Sequence, residues 1–405
     1  MLEMIAKVKT IWIVLKLRLE EDFMAFHSNE YSKKMKASLL LTFFIVSSLF
    51  CRGKDDITKI DMAHYESISF DSLIKNISCI KLEKNCFDYG ITMTSYKDYF
   101  YIMGRTIAGN KVVIFKKSGQ FVKELSLSDA LLVHSMTIVP NPEELWVISR
   151  YKIINKFKPD GTPINRVSLP FPCANIIPVN HQDFLIYSGG TCNERGSIEG
   201  YFMALTDLKS INKLFLPKWG NCEWPYSPGN LYATDTNFND LFIFPDNIDT
   251  IYSYNSHQKE VNPFCFLDFH GDFLTKDKRP YGITEDQEMA EIITKKKYIY
   301  AHSSFNQASG KLFFKLLGKR EDFCAINLTN NSLYSFHRLF DNFTPQTDNP
   351  FIGSDGKNLY LLVQEKELAR HYLNIKCTYP AIRELLPSLS VDSNNWILLA
   401  IEIKE

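Results

Sequence analysis

The residues best suited to hold a ligand lie between positions 189 and 226. The segment GGTCNERG (189–196) contains Glu194 and Arg195, and the segment WGNCEWPY (219–226) contains Trp219, Glu223, Trp224 and Tyr226. Exposed aromatic rings and arginines are the usual anchors of binding sites. This composition predicts a cradle for a sugar or a peptide. The alternative is that both tryptophans pack beneath their own loop.

The sequence carries no motif of a known catalytic centre. It has no phosphate loop, dinucleotide fingerprint, HExxH or nucleophile elbow, so we predict no cofactor, no metal and no catalytic residue. Carboxylates such as Asp268 and Glu285 cannot be paired into a dyad from spacing. The formal net charge is zero, with 46 basic and 46 acidic residues, which gives no electrostatic reason to expect a nucleic acid partner.

The elements that must position these residues are short strands that recur along the chain. Each β-prone segment follows a turn signal, and most are succeeded by a strand, a polar turn and another strand. Ser118-Gly119, Asp160-Gly161 and Asn330-Asn331 are the hairpin signals. The six β-prone segments are YFYI (99–102), LWVI (145–148), FLIY (184–187), LFIF (241–244), LFFK (312–315) and LYLL (359–362).

This repeat predicts a six-bladed β-propeller. The segments are spaced like propeller blades once His270–Lys297, which is polar and partly helical in pattern, is set aside as an insertion between blades 4 and 5. Two orphan strands, SCIKLEK (78–84) and WILLAIEI (396–403), could complete the last blade and close the ring. Helical patterns at 367–375 and 381–389 predict short C-terminal helices. A β-sandwich is the alternative, although it requires no such period.

Antiparallel strand order in a blade defines two faces. We call the face that carries the tight turns the hairpin face, and the face that carries the second-to-third-strand and inter-blade connections the loop face. The connections are longer and chemically richer, so we predict that the loop face binds the ligand. Besides the cradle, this face receives Arg105 from blade 1, and Arg150 and Tyr151 from blade 2. Cys192 and Cys222 fall on this face in adjacent units, so a disulfide could join them if their geometry permits.

Two histidines occupy equivalent positions on opposite sides of the predicted ring. His134 and His302 precede the β-prone segments of the second and fifth units. Both could face the central channel. A metal site would require further ligands, and the alternative is a pair of hydrogen-bonded histidines on inner strands.

The N-terminal region resembles a bacterial lipoprotein signal. Lys33, Lys34 and Lys36 precede the apolar run Leu39–Phe50, which ends at Cys51. The run is too short to span a bilayer and has the length of a signal-peptide core. A start at Met35 would make residues 1–34 a mis-called extension, 35–51 the signal, 52–60 a tether and 61–405 the propeller. The alternatives are a chance cysteine at 51 and a real N-terminal segment.

Four segments carry a resemblance to a known family, namely SCIKLEK (78–84), VVIFKKSGQFVKEL (112–125), NIDTIYSYNSHQKEVNPFCFLDF (247–269) and SNNWILLAIEIK (393–404). Through these segments the chain resembles the six-bladed β-propeller lipoproteins of Bacteroides-type bacteria. The resemblance implies a protein anchored through Cys51 at the outer membrane or cell surface of a Gram-negative bacterium. The charged stretch 52–56 resembles the export tag of surface lipoproteins.

Three functions stay open at this stage. The first is a binding or scaffold module for a glycan or peptide, as a monomer or within a membrane complex. The second is a propeller enzyme of the lyase or glycoside-hydrolase kind, with acid–base groups at the channel mouth. The third is a sensor partnered with a membrane complex. A propeller can host each of them, so the fold does not decide.

Overall fold

The computed structural model describes residues 57–405, apart from 128–132, 181, 188–199, 218–231, 235–240, 246–247, 275–290, 292–293, 296, 346 and 348. Residues 58–405 form one compact unit. Its strands assemble into six sheets whose neighbours in sequence pack side by side, which is a six-bladed β-propeller. The predicted fold is confirmed.

Three short strands precede the blades, namely β1 (Thr58–Asp61), β2 (Glu66–Ser67) and β3 (Ile74–Lys81). Blade 1 contains β4 (Tyr89–Tyr96), β5 (Tyr99–Thr106), β6 (Gly109–Lys116) and β7 (Phe121–Glu124). Blade 2 contains β8 (Val133–Pro140), β9 (Glu143–Ser149), β10 (Ile153–Phe157) and β11 (Pro163–Ser168). Blade 3 contains β12 (Asn175–Pro178), β13 (Phe184–Tyr187), β14 (Tyr201–Thr206) and β15 (Ile211–Pro217).

Blade 4 contains β16 (Tyr232–Thr234), β17 (Leu241–Ile243), β18 (Thr250–Asn255) and β19 (Glu260–Asp268). Blade 5 contains β20 (Ile299–Ala308), β21 (Lys311–Gly318), β22 (Phe323–Asn327) and β23 (Leu333–Phe336). Blade 6 contains β24 (Phe351–Ser354), β25 (Asn358–Gln364) and β26 (Trp396–Ile403), followed by β3 as its outermost strand.

Both chain ends contribute to blade 6, as the orphan strands predicted. β26 pairs antiparallel with β3, from Ile397 opposite Lys81 to Ile403 opposite Ile74. The N-terminal segment also adds an outer strand to each of the two preceding blades, because β1 runs parallel to β19 and β2 runs parallel to β23. Residues 58–60, which the sequence placed in a tether, are therefore part of a strand.

Apolar side chains fill every junction between adjacent blades. The described residues form six buried clusters, one for each junction around the ring. Because each sheet packs on both faces, the middle strands are apolar throughout rather than alternating, and every residue of β21 is buried. Burial between blades is the main stabilising term, since a lone four-stranded sheet would leave both of its faces in water.

The hairpin turns have the backbone geometry that their residues favour. Gly119 and Gly161 have φ angles of 87° and 81°, which is the left-handed region where a side chain is strained. A Cβ atom at Gly119 would lie only 2.2 Å from the carbonyl oxygen of Lys81. The turn that ends β6 therefore packs directly on β3, the strand that closes the ring.

Two short helices lie between β25 and β26 of blade 6. They are α1 (Glu365–His371) and α2 (Pro380–Leu385), and both were expected from the helical pattern. Most of the insertion expected between blades 4 and 5 lies outside the described residues. Among the helices that the structure describes, none has both the length and the apolar character needed to cross a bilayer.

Candidate functional site

A cavity of about 800 Å³ opens on the loop face of blade 5. Its walls come from the end of β21, from the connection between β21 and β22 (319–322), and from the connection that leads out of β23 toward blade 6. The loop face was predicted to carry the ligand site, and this cavity lies on that face in blade 5, apart from the residues predicted for the site in blades 1–4. Its size is within the range of small-molecule sites.

Asp322 organises the polar wall of the cavity. Its side chain is only 6% exposed, and both of its oxygens are engaged. Arg320 donates from Nε to Oδ2 at 2.9 Å and places a second nitrogen 2.8 Å from the same oxygen. His337 places Nδ1 2.6 Å from Oδ1. One buried carboxylate thus fixes a guanidinium and an imidazole, which is the compensation that a buried charge requires.

The N-terminal segment holds Arg320 from the other side. Arg320 donates from Nη1 to the carbonyl oxygen of Met62 at 2.6 Å. Its guanidinium also lies 4.8 Å from the ring centroid of Tyr65, within the range of a cation–π contact. Residues between β1 and β2 therefore help to build the cavity, because they pass along the outer edges of blades 4 and 5.

Among the residues that the structure describes, the cavity wall carries more basic than acidic groups. Lys315 is almost buried, at 7% exposure, and donates from Nζ to the carbonyl oxygen of Thr347 at 3.3 Å. Lys319 also lines the cavity, and its Nζ lies 2.6 Å from Asp272 outside it. The basic groups are Lys315, Lys319 and Arg320, and the acidic groups are Glu321 and Asp322. This balance, with a poorly hydrated lysine in the wall, favours an anionic group on the ligand.

His337 is the group in this cavity that could transfer a proton. The bond from Nδ1 to Asp322 orients the ring and leaves Nε2 as the second nitrogen. A carboxylate that orients an imidazole in this way is the arrangement used by general bases. The side chain of His337 is 72% exposed, so water reaches it readily.

The structure brings together two residues that the sequence predicted for different roles. Tyr151, predicted to bind ligand, stacks on His134, predicted for the channel, with ring centroids 3.5 Å apart. Arg150 and Tyr151 both have positive φ angles, 50° and 56°, in the tight connection between β9 and β10. Burial lowers the pKa of His134 to about 4, so this histidine is neutral at physiological pH.

His302 lies in the core between blades 4 and 5. It stacks on Phe244 with ring centroids 3.8 Å apart, and its side chain does not line either of the two cavities described in this protein. Burial lowers its pKa to about 4, and the backbone carbonyls of Phe244 and Pro245 oppose this shift in part. Both predicted histidines do lie on innermost strands, His134 in β8 and His302 in β20.

The remaining predicted residues divide into two groups. Arg105 lies at the loop-face end of β5 and is exposed. Several others fall outside the described residues, so the aromatic cradle, the lipidation site and the disulfide stay predictions; they are Cys51, Cys192, Glu194, Arg195, Trp219, Cys222, Glu223, Trp224 and Tyr226. The six cysteines that the structure describes are unpaired.

Sequence reasoning missed the cavity of blade 5, although one signal was present. The segment KRED (319–322) is four consecutive charged residues in a connection on the loop face. Two of its members proved to be Arg320 and Asp322. In the part of the chain that the structure describes, no three His, Cys, Asp or Glu side chains group as metal ligands.

Comparisons with known proteins support the fold alone. No family model matches the sequence, and no curated protein matches it either. A crystal structure of a Bacteroides fragilis protein inferred to be exported aligns with a TM-score of 0.67 at 18% identity, covering 86% of this chain and 100% of that one. A Bacteroides thetaiotaomicron protein of unknown function aligns with a TM-score of 0.46 at 9% identity, covering 83% and 75%. The second likeness is too loose to support an argument.

Proposed function

We propose that this propeller is an exported binding protein, anchored to a membrane through a lipid on Cys51, that holds its ligand on the loop face. The N-terminal pattern supports export and the anchor, and the similar Bacteroides fragilis fold is compatible with both. A double or triple acyl anchor would hold the protein stably at the outer membrane or cell surface. The ligand is a glycan or a peptide.

The observation that supports this proposal most strongly is the cavity of about 800 Å³ in blade 5. Lys315, Lys319 and Arg320 line it, and the buried Asp322 fixes the last of these. A rigid cationic wall suits a ligand that carries a carboxylate or another acidic group, because a buried cation gains more from a fixed anion than an exposed one does. We therefore expect an acidic glycan or an acidic peptide in preference to neutral ones.

A matched set of ligands tests the binding function. The full chain, purified with its N-terminal segment in detergent, is titrated with an oligogalacturonate and with a glutamate-rich peptide, and with an oligoglucose and a glutamine-rich peptide as neutral counterparts. We expect one acidic ligand to bind. Lys315→Met should weaken that binding about tenfold, because a hydrogen bond to a charged group contributes about 1.5 kcal/mol or more.

Lys209→Met is the control for this experiment, since Lys209 is an exposed lysine in a turn on the hairpin face. It should leave the affinity unchanged. Equal affinity for acidic and neutral ligands, or an unchanged affinity in Lys315→Met, would exclude the cavity of blade 5 as the binding site.

The anchor is tested separately from the ligand. Cells that express the chain are fed an alkyne-labelled fatty acid, and the purified protein is examined for the label. We expect label on the parent protein and none on Cys51→Ser. Label on both proteins, or on neither, contradicts anchoring at Cys51 and leaves the ligand experiment unaffected.

A second candidate function is catalysis by an acid–base enzyme of the lyase or glycoside-hydrolase kind. The pair formed by His337 and Asp322 favours it, because the carboxylate orients the imidazole beside cationic side chains that could neutralise a substrate carboxylate. Turnover of an acidic polysaccharide that is lost in His337→Ala, with binding retained, would favour this function. Binding without turnover in the parent protein favours the first.

A further inference from the structure

A second cavity lies at the opposite end of the molecule. It has a volume of about 340 Å³ and opens where the central channel meets the hairpin face. Five of the six inner strands, or the turns that follow them, contribute to its wall, from blades 1, 2, 4, 5 and 6. Because one strand from each blade surrounds the channel, the described part of this wall comes mainly from inner strands and the turns beside them.

Hydroxyl groups dominate the polar part of this wall. Six small hydroxyl side chains line it, namely Thr92, Thr94, Ser95, Thr137, Thr234 and Ser354. A hydroxyl can both donate and accept a hydrogen bond, so such a wall matches a ligand that presents the same groups. Tyr232 joins them, and burial raises the pKa of Tyr232 more strongly than the neighbouring Thr137 lowers it.

The charged residues at the rim are already engaged or lie in water. Lys97 is paired with Glu143 at 2.5 Å, which is outside the cavity wall. Asp355 accepts from the hydroxyl of Tyr360 at 2.6 Å and from the backbone nitrogen of Asn358 at 2.8 Å. Lys117, the third charged residue among those that the structure describes in this wall, is exposed. The hydroxyl groups of the wall, and not these charges, therefore carry the argument for the ligand.

A buried hydrogen-bond network fixes the channel near this cavity. Asn306 donates from its amide nitrogen to the carbonyl oxygens of Ser304 and Phe351, each at 3.0 Å. Ser304 donates to Asn349 at 2.9 Å, and Asn349 donates to the carbonyl oxygen of Ile91 at 2.6 Å. These bonds join blades 5, 6 and 1, so the wall is preorganised. The binding of a ligand therefore costs little free energy for ordering the side chains of the wall.

Apolar side chains complete the surface. Met93, Met136 and Ile138 border the cavity, and each exposes only 3–4% of its surface because it also packs in a junction between blades. A sugar ring has hydroxyl groups around its edge and C–H groups on its faces, and therefore needs polar and apolar surface in alternation. The volume is also in the range of sites that hold small molecules.

We propose that the channel mouth on the hairpin face binds a neutral sugar unit, as a second site that is independent of the acidic ligand on the loop face. The hydroxyl side chains exchange hydrogen bonds with the sugar, and the apolar side chains cover its C–H face. This site is separated from the blade 5 cavity by the thickness of the ring, because the two open on opposite faces. Each can therefore be removed without loss of the other.

The test uses free monosaccharides as probes. The full chain is examined by saturation-transfer NMR and calorimetry with glucose, galactose, mannose and N-acetylglucosamine. We expect saturable binding of at least one, with an affinity of about 1 mM, as is usual for a small site of few hydrogen bonds. Thr137→Val preserves the shape of the side chain and removes its hydroxyl, and should weaken binding about fivefold, since one hydrogen bond contributes about 1 kcal/mol.

Two further variants keep this test decisive. Thr94→Val removes a hydroxyl from blade 1 and replaces Thr137→Val if that variant unfolds. Lys315→Met, on the loop face, should leave the sugar affinity unchanged. The proposal is overturned if none of the four sugars binds saturably at tens of millimolar, or if a sugar binds and both threonine variants retain the parent affinity.

Discussion

The two cavities of this propeller lie on opposite faces and are built by different means. The cavity of blade 5 is ionic and consists of connections from one blade, together with residues of the N-terminal segment that hold Arg320. The channel mouth is rich in hydroxyl groups and consists of inner strands from five blades. Connections can bring charges together with their counter-ions, whereas the inner strands supply short polar side chains between apolar ones. One ring therefore offers two chemically distinct cavities.

The largest expected difference between the two faces is in the free energy of unfolding that is lost when an ion pair is removed. Asp322→Asn removes a carboxylate that is 6% exposed and leaves Arg320 without its anion, so we expect the free energy of unfolding to fall by about 4 kcal/mol. Lys97→Met breaks a pair on the hairpin side whose members are 53% and 47% exposed, which should cost less than about 1 kcal/mol. Chemical denaturation measures both, and equal losses would contradict the comparison.

The next effect belongs to neither cavity, because it arises in the core between blades 4 and 5. The pKa of His302 is lowered to about 4, against about 6.5 in the unfolded chain, so the unfolded state binds a proton that the native state does not. This contribution to stability is complete above pH 6.5 and is lost as the pH falls toward 4, by up to about 3 kcal/mol.

His302→Phe tests this pH dependence and should keep the stack on Phe244. We expect the unfolding free energy of the variant to vary less between pH 6.5 and 4 than that of the parent. An unchanged pH profile would show that groups other than His302 govern acid stability.

The smallest expected effect distinguishes the faces by ionic strength. Binding of an acidic ligand to the cavity of blade 5 should weaken about threefold between low and physiological salt, because the Debye length shortens. Binding of a neutral sugar at the channel mouth should stay constant. Calorimetry of both ligands at each salt concentration makes the comparison, and parallel changes would indicate that the two ligands share one site.

Much of the fold could be predicted from local signals. Gly119 and Gly161 mark turns whose positive φ angles are local properties, and the apolar runs of the second strands reflect burial on both faces. The orphan strands near residues 80 and 400 indicated that the ends meet. β1 and β2 escaped notice because they have only 4 and 2 residues and pair in parallel with distant strands.

The candidate site was harder to predict because its contacts span the chain. Arg320 is fixed by the carbonyl of Met62, 258 residues earlier, and by an aspartate two residues later whose burial depends on the whole blade. The charged segment 319–322 resembles an ordinary solvated loop when only its composition is known. The stack of Tyr151 on His134 likewise depends on a tight turn that places two residues of blade 2 face to face.

The pairing of β26 with β3 also constrains how the protein can be made. Synthesis proceeds from the N-terminus, so the strand at Ile74–Lys81 emerges early while its partner at Trp396–Ile403 emerges last. Until that moment the nascent chain carries an unpaired edge, which is a template for association with other chains. A chain that lacks only its final ten residues would therefore lose the strand that joins the two ends of the ring. The cell would have to shield or degrade such a chain.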